Sequence, residues 1–345
     1  MLRKPTFSLA PIVAALCLLT LSACDRGNDS ASTSSSGGAS AASTQGAGGG
    51  GSGALRGKTV GFSQIGAESA WRTAETQSIE SEAQKRGVNL KSVDAQGSQE
   101  KQIATLKSFV TQGVDAIILA PKTENGWDPV LREIKRANIP VILVDRGVSA
   151  PEELYTTLIA SDFVAEGRMA GEWLAKKTNG KCNIAELQGT TGAAPANDRK
   201  KGFEQAISRY PDMKIIMSQT GDFNRSGGKQ VMEAFLKSPQ GKDIQAVYAH
   251  NDDMALGAIQ AIEEAGKKPG QDVLVVSIDA VRGAFDAMVE GKLNCTVECN
   301  PLLGPAAFDA VEKTLAGQTL PKKTIVQDQI FTQEQAKDVI GTRKY

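Results

Sequence analysis

The chain has 345 residues, of which 41% are hydrophobic, and its 39 basic and 39 acidic side chains leave no formal net charge. This balance excludes net charge as a means of attracting a nucleic-acid backbone or an anionic membrane surface. Single hydrophobic cores rarely exceed about 250 to 300 residues. We therefore expect two lobes, no nucleic-acid partner, and a partner recognised by local chemistry.

Residues 1–23 are typical of a bacterial lipoprotein signal peptide. Arg3 and Lys4 precede the apolar run LAPIVAALCLLTL, and LSAC closes it with small residues. LSAC resembles a lipobox, which predicts that Cys24 becomes the lipid-carrying first residue of the mature chain; ordinary cleavage near LSA is the alternative. In enteric bacteria an Asp at the next position, here Asp25, favours the inner membrane. We expect a periplasmic protein anchored there, or a cell-surface lipoprotein where that rule does not apply.

Residues 24–56 consist of Cys24 and a segment made almost wholly of Gly, Ser, Ala and Thr. Such a composition provides too little apolar surface to fold and is typical of a flexible tether. The sequence therefore predicts a globular part that begins at residue 57 and is attached to a membrane through the lipid on Cys24.

From residue 57 onward, short β-rich runs alternate with helix-length segments. The runs are TVGFSQ, LKSVDA, AIILAP, VILVD, TTLIASD, NIAEL, KIIMSQ, AVYAHN, VLVVSID, CTVEC and TIVQDQI. Segments such as KQIATLKSFVTQG carry apolar residues three and four positions apart, as amphipathic helices do. Strand, helix and strand in repetition predict parallel sheets with helices on both faces, here in two Rossmann-like lobes. We assign 57–161 with 283–324 to the first lobe and 162–282 with 325–345 to the second.

Three cysteines lie in the globular part, at positions 182, 295 and 299. In an extended NCTVECN segment, Cys295 and Cys299 would stand about 13 Å apart, beyond the roughly 7 Å limit for a disulfide. A pairing that involves Cys182 stays open, and buried free thiols are the alternative. Because His250 is the only histidine and no CxxC or HExxH motif occurs, we expect no metal site.

Polar side chains follow several of the predicted strands, where open parallel sheets bind their ligands. The strand ends and the turns after them supply Trp71, Arg72, Asp145, Arg146, Arg199, Asn251, Asp252 and Asp279. No GxGxxG or GxxxxGK[ST] loop follows any of these strands, which argues against a nucleotide cofactor. Carboxylates and guanidinium groups bind vicinal hydroxyls, and an aromatic ring covers the C–H face of a sugar. The set therefore indicates a small neutral polyol.

Each of these residues also has a purely structural interpretation. Asp145, Asp279 and Asn251 or Asp252 could be helix N-caps, the arginines could form surface ion pairs, and Trp71 could be a packing residue. His250 precedes Asn251 by one position and so points to the other face of the sheet, which favours a structural role. The functional interpretation depends on the coincidence of residue type and position at four or more turns.

A family resemblance is carried by GFSQIGAESAWRTAE, QGVDAIILAP, GWDPVLREIK, LVDR, CNIAELQGTTGA, DRKKGFEQAI, SQTGDFNRS, VYAHNDDMALGAIQAIEEAG and SIDA. Over residues 57–345 the chain resembles the periplasmic sugar-binding proteins of ribose- and galactose-type ABC importers, especially their galactofuranose-binding members. The resemblance implies a type I periplasmic binding protein fold with a three-strand hinge. It also implies sugar contacts by Glu68, Ser69, Ala70, Trp71, Arg72, Asp145, Arg146, Arg199, Asn251 and Asp279.

The same resemblance implies a monomeric, non-enzymatic protein without a cofactor, which captures a monosaccharide such as galactofuranose and delivers it to an ABC permease. A sensor that presents a sugar or furanose autoinducer to a membrane receptor or kinase is the alternative. A glycosidase that uses Asp145 and Asp279 is a further rival, but we expect the flanking arginines to keep both carboxylates ionised. Ala70 and Ala280 replace glycines of the relatives, so we expect their methyl groups to alter the pocket.

Overall fold

The computed structural model of the protein describes residues 53–345. The predicted signal peptide, Cys24 and the tether as far as residue 52 lie outside the described residues. The strands are β1 (Thr59–Gln64), β2 (Asn89–Asp94), β3 (Ala116–Leu119), β4 (Val141–Val144), β5 (Thr157–Ser161), β6 (Lys181–Gln188), β7 (Asp212–Thr220), β8 (Ala246–Ala249), β9 (Leu274–Asp279), β10 (Cys295–Glu298), β11 (Lys323–Val326) and β12 (Ile330–Thr332). The α-helices are α1 (Ala70–Arg86), α2 (Gln99–Gln112), α3 (Asp128–Arg136), α4 (Phe163–Lys177), α5 (Ala194–Ile207), α6 (Arg225–Lys237), α7 (Asp252–Glu264), α8 (Arg282–Val289), α9 (Gly304–Leu315) and α10 (Ala336–Val339).

The strands form two six-stranded sheets, one for each lobe. The first sheet has the order β11-β5-β4-β3-β1-β2 and the second β12-β10-β9-β8-β6-β7. All pairs are parallel except β10 with β12. The chain passes between the sheets three times, at 161–163, 298–304 and 326–330, which we call the three crossings. This topology confirms the predicted α/β class with two parallel-sheet lobes joined by a three-part hinge.

Local sequence explains why the central strands and the helices form where they do. The strands AIIL and VILV are buried along their whole length, as expected for parallel strands covered on both faces. Ser69 and Ser98 cap the N-termini of α1 and α2 through their hydroxyl groups. Helix α1 ends at Gly87, whose φ of 67° suits glycine. The cap at Ser69 fixes the position of the first turn of α1 at the cleft between the lobes.

The predicted lobe boundaries are wrong at two places. Residues 283–298 were assigned to the first lobe, but β10 pairs with β9 in the second sheet, so the chain returns to the first lobe only after Glu298. Leu55, which the prediction placed in the tether, is 1% exposed and packs in the core of the first lobe. The run TIVQDQI is not one strand, because β11 joins the first sheet and β12 the second.

Cys182, Cys295 and Cys299 are all buried free thiols, so the disulfide alternative is not realised among residues 53–345. Within the same range, none of the helices combines the length and the apolar character that a bilayer crossing requires. The part of the chain that the structure describes also holds no cluster of His, Cys, Asp and Glu side chains arranged to bind a metal ion.

Candidate functional site

A narrow cavity lies between the two lobes, and we call it the inner cavity. Its lining contains nine of the ten residues for which the resemblance implies sugar contacts: Glu68, Ser69, Trp71, Arg72, Asp145, Arg146, Arg199, Asn251 and Asp279. Pro195, Phe223 and Cys299 complete the lining. The structure thus brings the predicted residues to one place, and their contact with a ligand stays a prediction.

Arg72 lies at the centre of a carboxylate cluster in the first lobe. The Ser69 hydroxyl accepts a hydrogen bond from the Arg72 backbone N–H (3.1 Å), which holds the first turn of α1. The guanidinium donates to Glu68 Oε1 (3.1 Å), Glu75 Oε2 (2.5 Å) and Asp145 Oδ2 (2.6 Å). Burial alone would lower the pKa of Arg72, but these carboxylates raise it well above its ordinary value. Arg72 is therefore a permanent cation in the wall of the cavity.

Trp71 belongs to the first lobe by sequence but packs with the apolar core of the second. Its indole Nε1 donates to the backbone carbonyl of Cys299 at 2.6 Å, and the side chain of Arg72 lies 4.8 Å from its ring centroid. The residue is only 4% exposed. The packing interpretation of Trp71 is therefore correct, and the ring also lines the cavity.

Asp145 and Arg146 follow directly after β4. Asp145 has a φ of 61°, a left-handed conformation that non-glycine residues rarely adopt outside functional sites. Arg146 donates to the Lys122 carbonyl (3.0 Å) and lies 5.3 Å from the ring centroid of Phe223 in the second lobe. Its buried Nε has no hydrogen-bond partner among residues 53–345, although it lies 3.5 Å from Asp145 Oδ2. A ligand oxygen could satisfy this donor, because buried polar groups are nearly always paired.

Arg199 is the counterpart of Arg72 in the second lobe. It donates to Glu166 Oε2 (2.7 Å), to the His250 carbonyl (2.6 Å) and, at 3.4 Å, to Asp279 Oδ1. Its guanidinium also lies 5.9 Å from the ring centroid of Phe223. Phe223 therefore lies within cation–π distance of an arginine from each lobe. The surface-ion-pair interpretation is wrong for Arg72 and Arg199, since both are almost fully buried.

The helix-cap interpretation is correct for only one of the three remaining polar residues. Asn251 does cap α7: its Oδ1 accepts from the Met254 N–H (3.0 Å), while its Nδ2 donates to the Phe223 carbonyl (3.0 Å). Asp145 and Asp279 are not N-caps in the structure, because α8 begins after Val281 and no helix directly follows β4. Asp279 instead ends β9 with a φ of 127°. Its carboxylate therefore remains free to face the cavity.

Charge in the cavity is nearly balanced. Burial raises the pKa values of Glu75 and Glu166, and raises that of Asp279 well above its ordinary value despite the proximity of Arg199. Desolvation thus has a larger effect on the pKa of Asp279 than the opposing ion pair with Arg199. A cavity with many donors and acceptors but little net charge suits a neutral polyol better than an anion such as phosphate.

His250 has the structural role that the sequence predicts. It is completely buried, its Nδ1 accepts from the Gly189 N–H (3.3 Å), and its Nε2 lies 3.1 Å from Glu186 Oε1. Because Nδ1 accepts, the proton lies on Nε2 and is donated to Glu186. Burial lowers the pKa of His250, so the imidazole is neutral. Its carbonyl in turn positions Arg199.

Three lining residues were not predicted, namely Pro195, Phe223 and Cys299, and the last two lie beyond strands that we did not consider. Phe223 follows β7 and Cys299 follows β10, so the strand-end rule would have found both had it been applied to every strand. Ala70, in contrast, is exposed and does not line the cavity. Its backbone N–H donates to Asp253 Oδ2 of the second lobe at 2.7 Å. Ala280 is buried with a φ of 60° and also lies outside the lining.

Comparison with known proteins identifies the family of the chain and three similar proteins. The family model described as a periplasmic binding protein domain matches residues 60–319. The galactofuranose-binding protein YtfQ of Escherichia coli (strain K12) is 52% identical over 290 residues, which are 83% of this chain and 91% of that protein.

Two similar solved structures contain furanose sugars. One is the periplasmic binding protein component of the arabinose ABC transporter from Shewanella sp. ANA-3, bound to α- and β-L-arabinofuranose. It matches with a TM-score of 0.81 and 53% identity over 83% of this chain and 96% of that chain. The other, from Mycobacterium smegmatis in complex with β-D-fucofuranose, matches with a TM-score of 0.81 and 53% identity over 84% of this chain and 95% of that chain.

Proposed function

The chain belongs to the periplasmic binding protein family, and from this premise we propose that it captures a furanose sugar in the inner cavity and delivers it to an ABC importer permease. The family places the protein outside the cytoplasm. The observation that carries the proposal is the inner cavity itself, where Arg72, Arg146 and Arg199 meet carboxylates from both lobes around Trp71 and Phe223. Planar donors and acceptors with aromatic faces are the chemistry that recognises sugar hydroxyls and C–H groups.

The identity of the relatives supports a furanose rather than a pyranose. The relatives compared above bind galactofuranose, L-arabinofuranose or D-fucofuranose by their descriptions, so the five-membered ring is their common feature. Galactofuranose is our first candidate for this chain. The transporter component among these relatives also favours import over the sensor alternative.

Closure of the lobes would couple binding to delivery. Residues of both lobes line the inner cavity, so a sugar can contact both sets only when the lobes are together. We propose that the closed form is the one recognised by the permease. No bond is broken in this function, and we expect no turnover of aryl furanosides.

Isothermal titration calorimetry on the protein without residues 1–23 tests the proposal. We expect galactofuranose locked as its methyl furanoside to bind at least about tenfold more tightly than the matched methyl galactopyranoside. Arg199→Lys should abolish most of the heat of sugar binding, because the lysine ammonium cannot reproduce the planar set of donors that the guanidinium directs to three acceptors. Arg282→Lys, at an exposed arginine on the second lobe, is the matched control. Absence of binding by every monosaccharide would refute the function.

We also propose that the protein works as a monomer attached to the membrane through lipid on Cys24. The supporting observation is the LSAC stretch before a segment rich in glycine and serine. Cys24→Ala should shift the protein from the membrane fraction to the soluble periplasmic fraction and remove labelling by a palmitate analogue. Retention in the membrane with unchanged labelling would show that the anchor is elsewhere.

A further inference from the structure

A second cavity adjoins the inner one, and we call it the outer chamber. It has a volume of about 310 Å³ and is lined by Ile65, Gly66, Ala67, Glu68, Gln96, Gly97, Lys122, Thr190, Asp222 and Asn224. The first seven residues belong to the first lobe and the last three to the second. Glu68 lines both cavities, so its side chain lies between them.

The two oxygens of Glu68 have different environments. Oε1 accepts from Arg72 Nε at 3.1 Å and lies 3.6 Å from Arg146 Nη2, on the side of the inner cavity. Oε2 is buried and has no hydrogen-bond partner within the part of the chain that the structure describes. A methyl group placed on Gly66 would lie 3.2 Å from Oε2, so this oxygen faces the residue that lines the outer chamber. A buried acceptor without a donor is costly, and a ligand hydroxyl would satisfy it.

The rest of the outer chamber has a mixed lining, in which apolar wall is combined with hydrogen-bond donors and acceptors. Lys122 and Asp222 form no ion pair with another residue between 53 and 345, although both line the chamber. Thr190 adds a half-buried hydroxyl from the second lobe. No aromatic ring lines the chamber. Such a lining favours a hydroxyl-rich, uncharged group over an apolar or an anionic one.

We propose that the outer chamber is a second sugar subsite, so that the protein takes short furanosides whose furanose ring lies in the inner cavity and whose next sugar unit lies in the chamber. This inference rests on the proposed function, because it needs the furanose in the inner cavity. Glu68 then contacts both units, holding the first together with Arg72 and the second through Oε2. The chamber lies between the lobes and is partly open to solvent, so the second unit would contact both lobes.

The test compares two ligands and two matched variants of the protein without residues 1–23. The ligands are methyl β-galactofuranoside and a disaccharide with β-galactofuranose at its non-reducing end. Thr190→Trp fills the chamber, whereas Thr191→Trp places the same ring at the neighbouring exposed residue, which does not line it. We expect the unchanged protein to bind both ligands in calorimetry. Thr190→Trp should weaken the disaccharide by about tenfold or more and the methyl furanoside by less than about twofold, and Thr191→Trp should change neither.

The other outcomes show whether the second subsite or the proposed function is wrong. If the methyl furanoside binds but the disaccharide does not, or if Thr190→Trp weakens both equally, the second subsite is refuted and the proposed function stands. If neither ligand binds the unchanged protein, the proposed function itself fails. Ala67→Trp fills the chamber from the first lobe and replaces Thr190→Trp if thermal unfolding shows that the latter is misfolded.

Discussion

Trp71 links the ligand cavity to the hinge at the scale of a single residue. Its indole bonds to the carbonyl of Cys299, which begins the crossing after β10, while its ring lines the inner cavity. A change at this ring therefore affects the sugar contact and the backbone of a crossing together. The two contributions can be separated, because phenylalanine keeps an aromatic face but has no N–H to donate.

We predict that Trp71→Ala weakens furanose binding by about tenfold or more and that Trp71→Phe weakens it less. Trp71→Phe should lower the free energy of unfolding by about 1–3 kcal/mol, because the buried Cys299 carbonyl loses its donor. Trp71→Ala should lower it by about 3–5 kcal/mol, because it also removes a buried ring. Calorimetry measures the first effect and urea denaturation the second. Equal losses of affinity in the two variants would mean that the ring face contributes nothing to recognition.

Arg72 is as important to the stability of the first lobe as to its site. It is bonded to three carboxylates and its side chain is 3% exposed, so its removal leaves buried negative charge without compensation. We predict that Arg72→Met lowers the free energy of unfolding by about 3–5 kcal/mol in addition to weakening binding. Arg132→Met is the control, since Arg132 forms an exposed pair with Asp128 and should change stability by less than about 1 kcal/mol. Similar effects in urea titrations of both variants would contradict a central role for Arg72.

At the scale of elements, the sequence predicts most strands but not how they pair. The run TVGFSQ coincides with β1, and most other runs match a strand to within one or two residues at each end, because buried parallel strands are continuous apolar stretches. TIVQDQI is predicted as one β-rich run yet supplies residues to two strands in different sheets, since pairing depends on distant residues. The boundary at residue 283 is wrong for the same reason.

The site was predictable to the extent that strand ends determine it. Asp145 and Asp279 follow strands directly, and parallel strands bring their ends to one edge. Their burial could not be inferred from spacing, so the raised pKa of Asp279 was not foreseen. Phe223 was missed because an apolar residue in a turn carries no obvious chemistry until the structure places it beside Arg146.

The three crossings meet at Asp328, between β11 and β12. Its Oδ1 accepts from the Asn300 N–H at 3.2 Å, and Ser161 at the end of β5 lies near its carboxyl. Burial, with Glu166 and Glu298 nearby, raises the pKa of Asp328 to about 7. Between about pH 4 and pH 7 the folded chain therefore holds a proton that the unfolded chain has released. This proton stabilises the folded chain at acidic pH, and the contribution is lost as the pH rises through about 7.

We predict that the free energy of unfolding falls as pH rises through this window and that Asp328→Asn makes the fall shallower, by at most about 1.4 kcal/mol per pH unit. The remaining slope belongs partly to Asp252, whose pKa burial also raises to about 7. Urea denaturation across the window measures the slope. An unchanged slope in Asp328→Asn would show that Asp328 binds no extra proton in the folded state.

At the scale of the whole molecule, polar contacts hold the lobes together at separate points of the cleft. At the first point, the Ala70 N–H donates to the carboxylate of Asp253, which also accepts from the guanidinium of Arg225. At the second point, the Asn197 side chain donates to the Glu124 carboxylate at 2.7 Å. Carboxylates at these positions bond across the cleft only when it is closed, so they bias the equilibrium between open and closed forms independently of the sugar.

Asp253→Ala should therefore lower sugar affinity although Asp253 does not line the inner cavity. Loss of a hydrogen bond to a charged group costs the closed form about 1.5–3 kcal/mol, so we predict an increase in Kd of about tenfold or more. Small-angle X-ray scattering should show a larger radius of gyration without sugar and a return to the closed value at saturation. Glu264→Ala, at the exposed end of the same helix, is the control and should change neither quantity. If affinity falls while the radius of gyration is unchanged in both states, Asp253 acts on the site directly and the lobes are not in the predicted equilibrium.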